Sequence, residues 1–290
     1  MNWPVRIGLA LWRALAALPN RVTVVIAYCM GWLLFPFGGR VTMVNLRLAF
    51  PDMSEAERRA LGRKHFMRLV RSVLEMGIVW WQPRQRVMDM IKLVGREHLD
   101  NLKGQPVIIL APHFVGLNMG GAKFADEWPG SMAFYSKQKN PVMDELLLQG
   151  RLRFGSPELF AKQDGLRPVI RKIRDGIPFV FLPDMDFGRT DSVFVPFFGV
   201  ECATVTTLSR LAQLTKARII PCVTRQLSAS EGYEMRLYPP WDNFPCGDPE
   251  QDARRMNHFI EERVLEMPDQ YFWVHKRYGT RPVGEPNFYK

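Results

Sequence analysis

The fold class is decided by a short stretch that reads Pro106-Val-Ile-Ile-Leu-Ala-Pro-His113-Phe-Val-Gly-Leu-Asn118. Its apolar run from Pro106 to Ala111 predicts a buried strand, and Pro112 ends that strand. His113 therefore follows the carboxyl end of a strand, which is where open α/β sheets bind their ligands. We predict an α/β protein with a candidate functional histidine at the edge of its sheet.

The rest of the chain alternates short apolar runs with amphipathic segments, as α/β proteins do. A capping-box pattern from Ser54 to Glu57 opens a basic helix that runs to about Trp81. Strands are predicted at 107–110, 131–135, 158–160, 179–182, 218–223 and 233–238, and helices at 117–126, 141–153, 166–175, 204–215 and 249–266. We therefore predict a mixed sheet flanked by helices.

The first fifty residues differ in composition from the rest. Asp52 is the first acidic residue, and residues 22–39 carry no charge over a length at the lower margin for crossing a bilayer. We predict that residues 1–50 anchor the protein to a membrane, as a short span or as helices that lie in the interface. Residues 51–290 would form the main domain. The alternative is an ordinary pair of buried helices at the edge of that domain.

Charge and cysteine usage limit the choice of partners and cofactors. The net charge of +10 and the pI of about 9.7 indicate an anionic partner. Nucleic acid, an anionic membrane, a phosphorylated lipid and an acidic carrier protein all qualify. The four cysteines are scattered and predict neither a zinc site nor a disulfide framework. We expect no metal and no cofactor.

Two segments carry acid–base candidates. His113 and Asn118 are separated by roughly 140° on a straight helix, so they meet only if His113 lies in the turn before the helix. Asp184 and Asp186 follow an apolar strand, and they suit either the orientation of a base or an Asx turn.

Three further segments suit substrate binding. Arg151 and Arg153 end a predicted helix and offer guanidinium groups to a phosphate or a carbonyl, or only a solvated helix end. The apolar run 193–199 suits an acyl groove or the core. The segment 270–282 combines aromatic and basic residues and, taken alone, also suits the stacking of nucleic-acid bases.

In order and spacing these motifs resemble the late acyltransferases of lipid A biosynthesis, the lauroyl and myristoyl transferases of the Gram-negative inner membrane. The resemblance covers nearly the whole chain. The motifs that carry it, in chain order, are Asn45-Leu46, Phe50-Pro51, His113 with its four following residues, Lys139-Asn140-Pro141, Asp144, Gly150-Arg151, Asp184-x-Asp186-x-Gly188, Val193-Phe-Val-x-Phe-Phe-Gly199 and Gln270-Tyr271 through Thr280-Arg-Pro282.

The resemblance implies a glycerolipid-acyltransferase-like fold at the cytoplasmic face of the inner membrane. It implies transfer of a fatty acyl chain from acyl carrier protein to a hydroxyl of a phosphorylated lipid A precursor, with no nucleic acid as partner. His113 would be the general base, and Asn118 and Arg151 would be further catalytic residues. Substrate-binding residues would be Lys139, Arg153, Asp184, Asp186, Phe197, Phe198, His275 and Arg277.

Asn118 stands where the family pattern, His followed after four residues by an acid, has its carboxylate. An amide cannot supply a negative charge to an imidazolium, and in serine proteases the corresponding change from Asp to Asn costs roughly 10⁴ in turnover. A catalytically impaired or non-catalytic lipid-binding member of the family is therefore one alternative. Acyl transfer to another lipid acceptor, such as a lysophospholipid or an amino-acid lipid, is a second.

Overall fold

The computed structural model of the protein describes residues 3–161 and 165–290. Within these residues the strands are β1 (Ile91–Val94), β2 (Val107–Leu110), β3 (Met132–Tyr135), β4 (Glu158–Ala161), β5 (Phe179–Phe181), β6 (Ser192–Phe197), β7 (Val200–Val205), β8 (Arg218–Gln226) and β9 (Tyr233–Leu237). Seven of them form one sheet in the order β1-β9-β8-β2-β5-β3-β4. The five from β8 to β4 run parallel, and β9 is antiparallel to β8. The predicted mixed sheet is confirmed.

Helices cover both faces of this sheet. They are α1 (Trp3–Ala17), α2 (Asn20–Gly38), α3 (Arg40–Ala49), α4 (Glu55–Trp81), α5 (Arg84–Asp89), α6 (Glu97–Asp100), α7 (Leu117–Glu127), α8 (Pro141–Leu152), α9 (Arg167–Arg174), α10 (Thr207–Thr215) and α11 (Pro249–Glu266). Successive residues of a strand point to opposite faces. Ile108 and Leu110 accordingly pack in one cluster with α9, α10 and α11, whereas Val107 and Ile109 pack in another with α7 and the second half of α4.

The long helix α4 begins and ends close to where its sequence predicts. The Ser54 hydroxyl accepts a hydrogen bond from the Glu57 N–H at 3.2 Å, and the Glu57 carboxylate accepts one from the Ser54 N–H at 2.7 Å. This reciprocal cap satisfies amides that the first turn of a helix leaves without partners. The helix then runs the 27 residues to Trp81 and supports both the N-terminal helices and the sheet.

The N-terminal helix α2 packs along α4 by one stripe and exposes another. Its inward stripe includes Ala27, Gly31 and Phe35, and a side chain at Gly31 would lie 2.5 Å from the Met67 Cα atom of α4. The two helices therefore touch backbone to backbone. Among the described residues α2 is the helix long and apolar enough to cross a membrane.

The helix α3 packs into the main core, although residues 1–50 were predicted as an anchor. Leu46 is fully buried, and the Asn45 amide donates to the carbonyls of Trp273 and His275, each at 2.7 Å. These bonds tie the N-terminal helices to the C-terminal segment of the chain.

The apolar run 193–199 forms a separate antiparallel hairpin of β6 and β7. Its two turn residues, Phe198 and Gly199, both have positive φ values, 50° and 74°, as a type I′ turn requires. Because β7 extends to Val205, the helix α10 begins at Thr207, three residues later than its sequence predicts. The hairpin packs against α11, outside the main sheet.

Candidate functional site

The centre of the site is a doubly hydrogen-bonded pair of side chains, His113 and Asp184. The ring Nδ1 of His113 lies 2.7 Å from Asp184 Oδ1, and the backbone N–H of His113 donates to Asp184 Oδ2 at 2.9 Å. The Asp184 side chain is 1% exposed, whereas the imidazole is 21% exposed. One carboxylate therefore fixes both the loop that carries the histidine and the orientation of its ring.

Strand register explains how two distant parts of the chain meet here. The strands β2 and β5 are neighbours and parallel, and Leu110 pairs with Phe181. His113 and Asp184 each follow their paired residue by three positions, and each comes directly after a proline. Proline stops both strands at the same level, so the two functional side chains leave the same edge of the sheet side by side.

The electrostatics of the pair assign the proton positions. Burial by itself would raise the pKa of the Asp184 carboxyl, but the His113 charge, the two hydrogen bonds from His113 and the nearby Arg277 guanidinium lower that pKa below its usual value. Asp184 is therefore ionised and accepts the Nδ1 proton. The other ring nitrogen, Nε2, is then the basic one, and no residue in the described part of the chain forms a hydrogen bond with it.

Asn118 does not take the position that we expected for the partner of His113. It lies in the first turn of α7 and is exposed, and no hydrogen bond in the described ranges joins it to His113. The turn Pro112–Gly116 does precede the helix, but the ring points toward β5 because Asp184 satisfies Nδ1. Asn118 carries no negative charge. The negative charge beside His113 comes instead from Asp184, in the loop after β5.

Residues 270–280, here called the C-terminal segment, hold the two loops that carry this pair. The Phe272 N–H donates to the His113 carbonyl at 3.0 Å, and the Val115 N–H donates to the Gln270 carbonyl at 2.9 Å. On the other loop, Asp186 donates its backbone N–H to His275 Nε2 at 2.7 Å. Both loops are therefore fixed by the same C-terminal segment, one through its backbone and the other through the His275 side chain.

His275 and Asp186, which we predict to contact substrate, also bond to each other and to neighbouring backbone. Burial lowers the pKa of His275 to about 4, so its ring is neutral and Nε2 is able to accept the Asp186 N–H. The Asp186 carboxylate accepts the N–H of Gly188 at 2.9 Å and that of Thr280 at 2.6 Å. These bonds connect the loop after β5 with the chain terminus.

Arg277 is likewise structural and does not reach the surface. Its guanidinium donates to the Ala203 carbonyl, the Thr204 hydroxyl and the Asn257 amide oxygen at 2.8–3.1 Å. It is 1% exposed and lies 5.1 Å from the centre of the Phe197 ring. Its charge contributes to the lowered pKa values of both Asp184 and His275.

The phenylalanines predicted to line an acyl groove are core residues. Phe197 is fully buried between the rings of Tyr271 and Tyr278, and Phe198 packs against Phe50 and Trp273. The hairpin turn directs both rings inward. The expectation that these side chains contact an acyl chain is therefore replaced by a role in the core.

An apolar cavity of about 150 Å³ lies on the opposite face of the sheet. Asn118, Leu117 and Leu182 line it close to where the chain carries His113 and Asp184. Its walls come from α4, α7, α8 and the strands β3, β4 and β5; examples are Met76, Phe124, Phe134, Leu147 and Leu159. The cavity is not recognisable in the sequence, because its wall residues are spread over six elements and each has the pattern of an ordinary core residue.

Arg151 lines this cavity, and its charge has no carboxylate partner among the residues that the structure describes. The guanidinium lies 5.5 Å from the centre of the Tyr135 ring, and partial burial lowers its pKa. A cation without a partner in an otherwise apolar cavity is suited to an anionic or strongly polarised group of a ligand. Tyr135 is itself held by a hydrogen bond to Asp144.

Arg153 and Lys139 differ from each other in placement. Arg153 donates to the carbonyls of Val79 and Gln82, so it caps the end of α4, and its predicted contact with substrate stays a prediction. Lys139 is exposed in the loop after β3, directly before the α8 cap residue Asn140. It therefore lies at the same edge of the sheet as His113.

The geometry agrees with comparisons of the whole sequence. The profile of the bacterial lipid A biosynthesis acyltransferase family matches residues 1–280. The chain is 33% identical to the lipid A biosynthesis lauroyltransferase of Escherichia coli (strain K12) over 293 residues, which cover 99% of this chain and 95% of that protein. It is 31% identical to the palmitoleoyltransferase and 30% identical to the myristoyltransferase of the same pathway and organism, with 99% of this chain covered in each case.

The family match spans nearly all of the chain, and the enzymes that it resembles are acyltransferases that differ in the acyl group named for them. The His113–Asp184 pair lies within the matched residues, and so do the walls of the apolar cavity. The protein is therefore an acyltransferase that belongs to the bacterial lipid A biosynthesis acyltransferase family.

Proposed function

We propose that this protein transfers a fatty acyl chain from acyl carrier protein to a hydroxyl group of a phosphorylated lipid A precursor, with His113 as the general base. The observation that carries the proposal is the buried Asp184 carboxylate at 2.7 Å from Nδ1, which leaves Nε2 of His113 as the basic nitrogen. A base of this kind is what the attack of an alcohol on a thioester requires.

The reaction then proceeds by two proton movements through one nitrogen. Nε2 takes the proton from the acceptor hydroxyl as its oxygen bonds to the thioester carbonyl carbon. The tetrahedral intermediate collapses, the carbon–sulfur bond breaks, and the imidazolium returns the proton to the departing thiolate. The products are an ester and a free thiol. Asp184 stabilises the imidazolium between the two transfers and keeps the ring in one tautomer.

The apolar cavity is the proposed site for the hydrocarbon chain of the donor. Most of its wall is aliphatic or aromatic, and Asn118 and Leu182 place one end of it close in sequence to the catalytic pair. An acyl chain in this cavity would bring its carbonyl to the strand edge. The Arg151 side chain reaches the ring of Tyr135 at the carboxyl end of β3, and we assign its guanidinium to the polar end of a substrate or to the developing negative charge.

The charge of the protein supports an acidic donor protein and a phosphorylated acceptor. The chain carries a net charge of +10, and Lys137 and Lys139 are exposed in the loop that follows β3 at the catalytic edge. Acyl carrier proteins and lipid phosphates are both anionic. Electrostatic attraction would raise the local concentration of either substrate at this edge.

Apolar side chains on the N-terminal helices support a membrane location, which we place at the cytoplasmic face of the inner membrane. Val25, Leu33 and Phe37 follow one another at four- and eight-residue spacing on α2, and their exposures are 62%, 59% and 88%. Because the opposite stripe of α2 packs on α4, we propose that α2 lies in the interface with only one face in lipid.

The test is an acyl transfer assay with purified protein in detergent micelles. Acyl carrier protein loaded with fatty acids of defined length would be the donor, and a phosphorylated lipid A precursor would be the acceptor, with products identified by mass spectrometry. We expect one added acyl group with the wild-type protein and none with His113→Ala. Transfer to a lysophospholipid, together with no transfer to the lipid A precursor, would contradict the assigned acceptor.

A further inference from the structure

Two neighbouring cavities in the described part of the chain share two lining residues, which form a wall between them. The apolar cavity described above has a volume of about 150 Å³, and an outer, more open cavity of about 320 Å³ lies next to it. Trp80 and Gly150 line both of them. The outer cavity is otherwise bounded by Trp81, Leu146, Gln149, Leu152 and Arg153.

The contact between the two wall residues is very close. A side chain at Gly150 would lie 2.1 Å from Trp80 Cδ1 and 2.2 Å from Nε1, which no real packing allows. Only glycine lets α8 lie directly on the indole. The wall is therefore closed by contact of the indole edge with helix backbone, and no gap separates the two.

The indole of Trp80 is also supported from behind. Its ring centroid lies 4.9 Å from that of Trp12 on α1 and 5.6 Å from that of Trp81. Trp12 in turn donates its indole N–H to the Leu74 carbonyl at 3.0 Å. A ring packed on three sides has little freedom to rotate away, so the wall is rigid.

This wall stands at the end of the apolar cavity that is distant from the catalytic pair. The helix α8 begins at Pro141, after the loop that follows β3, and its start therefore lies at the edge of the sheet that carries His113. Gly150 comes nine residues after Pro141, about 14 Å along the helix axis. Arg153 lies three residues after Gly150 and caps the carboxyl end of α4. Trp80 is at that same end of α4.

We propose that Trp80 sets the length of the acyl chain that the enzyme transfers, by closing the apolar cavity at its far end against Gly150. This inference rests on the proposed function, since it assumes that the donor chain occupies this cavity. A chain that reaches the indole would have to displace a ring held by Trp12 and Trp81. Longer chains would therefore be excluded by packing, and removal of the indole would connect the cavity with the outer one.

The test compares Trp80→Ala with Leu152→Ala in the transfer assay. Leu152 is the matched control because it is apolar and lines the outer cavity, whereas it is not among the residues that line the apolar cavity. Acyl carrier protein would be loaded with saturated chains of eight to eighteen carbons, and kcat/KM would be measured for each length. One methylene in an apolar pocket is worth roughly 10–200-fold in such a ratio.

We expect Trp80→Ala to accept longer chains than the wild type. The ratio to measure is kcat/KM for the chain two carbons longer than the wild-type optimum divided by kcat/KM for that optimum, and it should rise about tenfold or more. Leu152→Ala should leave the preferred chain length unchanged. An unchanged optimum in an active Trp80→Ala enzyme, or an equal shift in Leu152→Ala, would overturn the role of Trp80 while leaving the proposed reaction intact. Absence of transfer from any chain length by the wild-type enzyme would instead contradict the proposed reaction.

A second variant covers the case in which Trp80→Ala does not fold. Trp80→Leu keeps much of the apolar contact and still shortens the wall, so it should shift the optimum in the same direction by a smaller amount. Melting temperatures in detergent identify which variants are folded. A folded Trp80→Leu enzyme with the wild-type length profile would count against the proposal in the same way.

Discussion

The imidazole of His113 and the carboxylate of Asp184 are 71 residues apart in the chain and 2.7 Å apart in the fold. Neighbouring parallel strands bring them together, each three residues past a paired position and directly after a proline. The same carboxylate also holds the backbone N–H of the histidine. The proposed base is therefore oriented from the sheet, and the helix that follows His113 has no part in this contact.

Replacement of Asp184 by asparagine should reduce turnover strongly. An amide placed there would present its N–H₂ to Nδ1, so the ring would carry its proton on Nε2 and could not accept one from the acceptor hydroxyl. The corresponding change in serine proteases costs about 10⁴ in kcat, and we expect a loss of 10²–10⁴ here. Steady-state transfer rates for Asp184→Asn and the wild type provide the measurement. A rate within threefold of wild type, in folded protein, would show that Asp184 does not orient the base.

Substitution at 118 should have a much smaller effect. Asn118 is exposed in the first turn of α7 and makes no hydrogen bond to His113. We expect both Asn118→Asp and Asn118→Ala to change kcat by less than about tenfold, since neither alters the pairing of Nδ1 with Asp184. The double variant Asp184→Asn with Asn118→Asp should stay as slow as Asp184→Asn alone. Recovery of activity in that double variant would mean that residue 118 is able to reach the imidazole.

The exposed stripe of α2 should govern binding to lipid. A triple change of Val25, Leu33 and Phe37 to glutamate removes three apolar side chains, each worth roughly 1.5–3 kcal/mol when buried, and adds negative charge. We expect binding to vesicles of phosphatidylethanolamine and phosphatidylglycerol to fall by more than tenfold. Flotation of the vesicles with bound protein provides the measurement. Val283→Glu is the control, because Val283 is 90% exposed but lies near the other end of the chain. Equal binding of all three proteins would remove α2 from the lipid contact.

Stability should depend on pH through the buried His65. Burial lowers the pKa of His65 to about 4, below the usual value of 6.5, and its Nε2 has no hydrogen-bond partner in the part of the chain that the structure describes. The unfolded chain therefore binds a proton that the folded chain does not between about pH 6.5 and pH 4, so the folded state loses stability as pH falls through this window. The full shift corresponds to roughly 3 kcal/mol.

Thermal unfolding of the wild type and of His65→Gln, measured in detergent from pH 7.5 to pH 4.5, tests this pH dependence. The glutamine has no proton to take up, so its melting temperature should fall less steeply with acidification than that of the wild type. Carboxyl groups with a lowered pKa, such as Asp184, lose their stabilising contribution as the pH falls. They do so equally in both proteins, so their effect cancels in the comparison. Parallel curves for the two proteins would exclude His65 as the source of the slope.

Local sequence was sufficient for several elements of the fold. The capping box at Ser54 and Glu57 predicts where α4 begins, and the apolar run before Pro112 predicts β2 and the location of His113 at its end. These features depend on hydrogen bonds and apolar spacing within a few residues, and the chain carries all the information they need. The mixed sheet also follows from the alternation of such elements.

The partner of His113 and the shape of the cavity were decided only by tertiary structure. Spacing along the chain favoured Asn118 as the partner, because it is five residues away, whereas Asp184 is brought there by the order of strands in the sheet, which local patterns do not encode. For the same reason Arg277 and Phe197 looked like binding residues and are core residues. The sequence by itself determined which side chains end each strand; the packing of the strands determined which of them touch, because contact energy depends on distance in space and not along the chain.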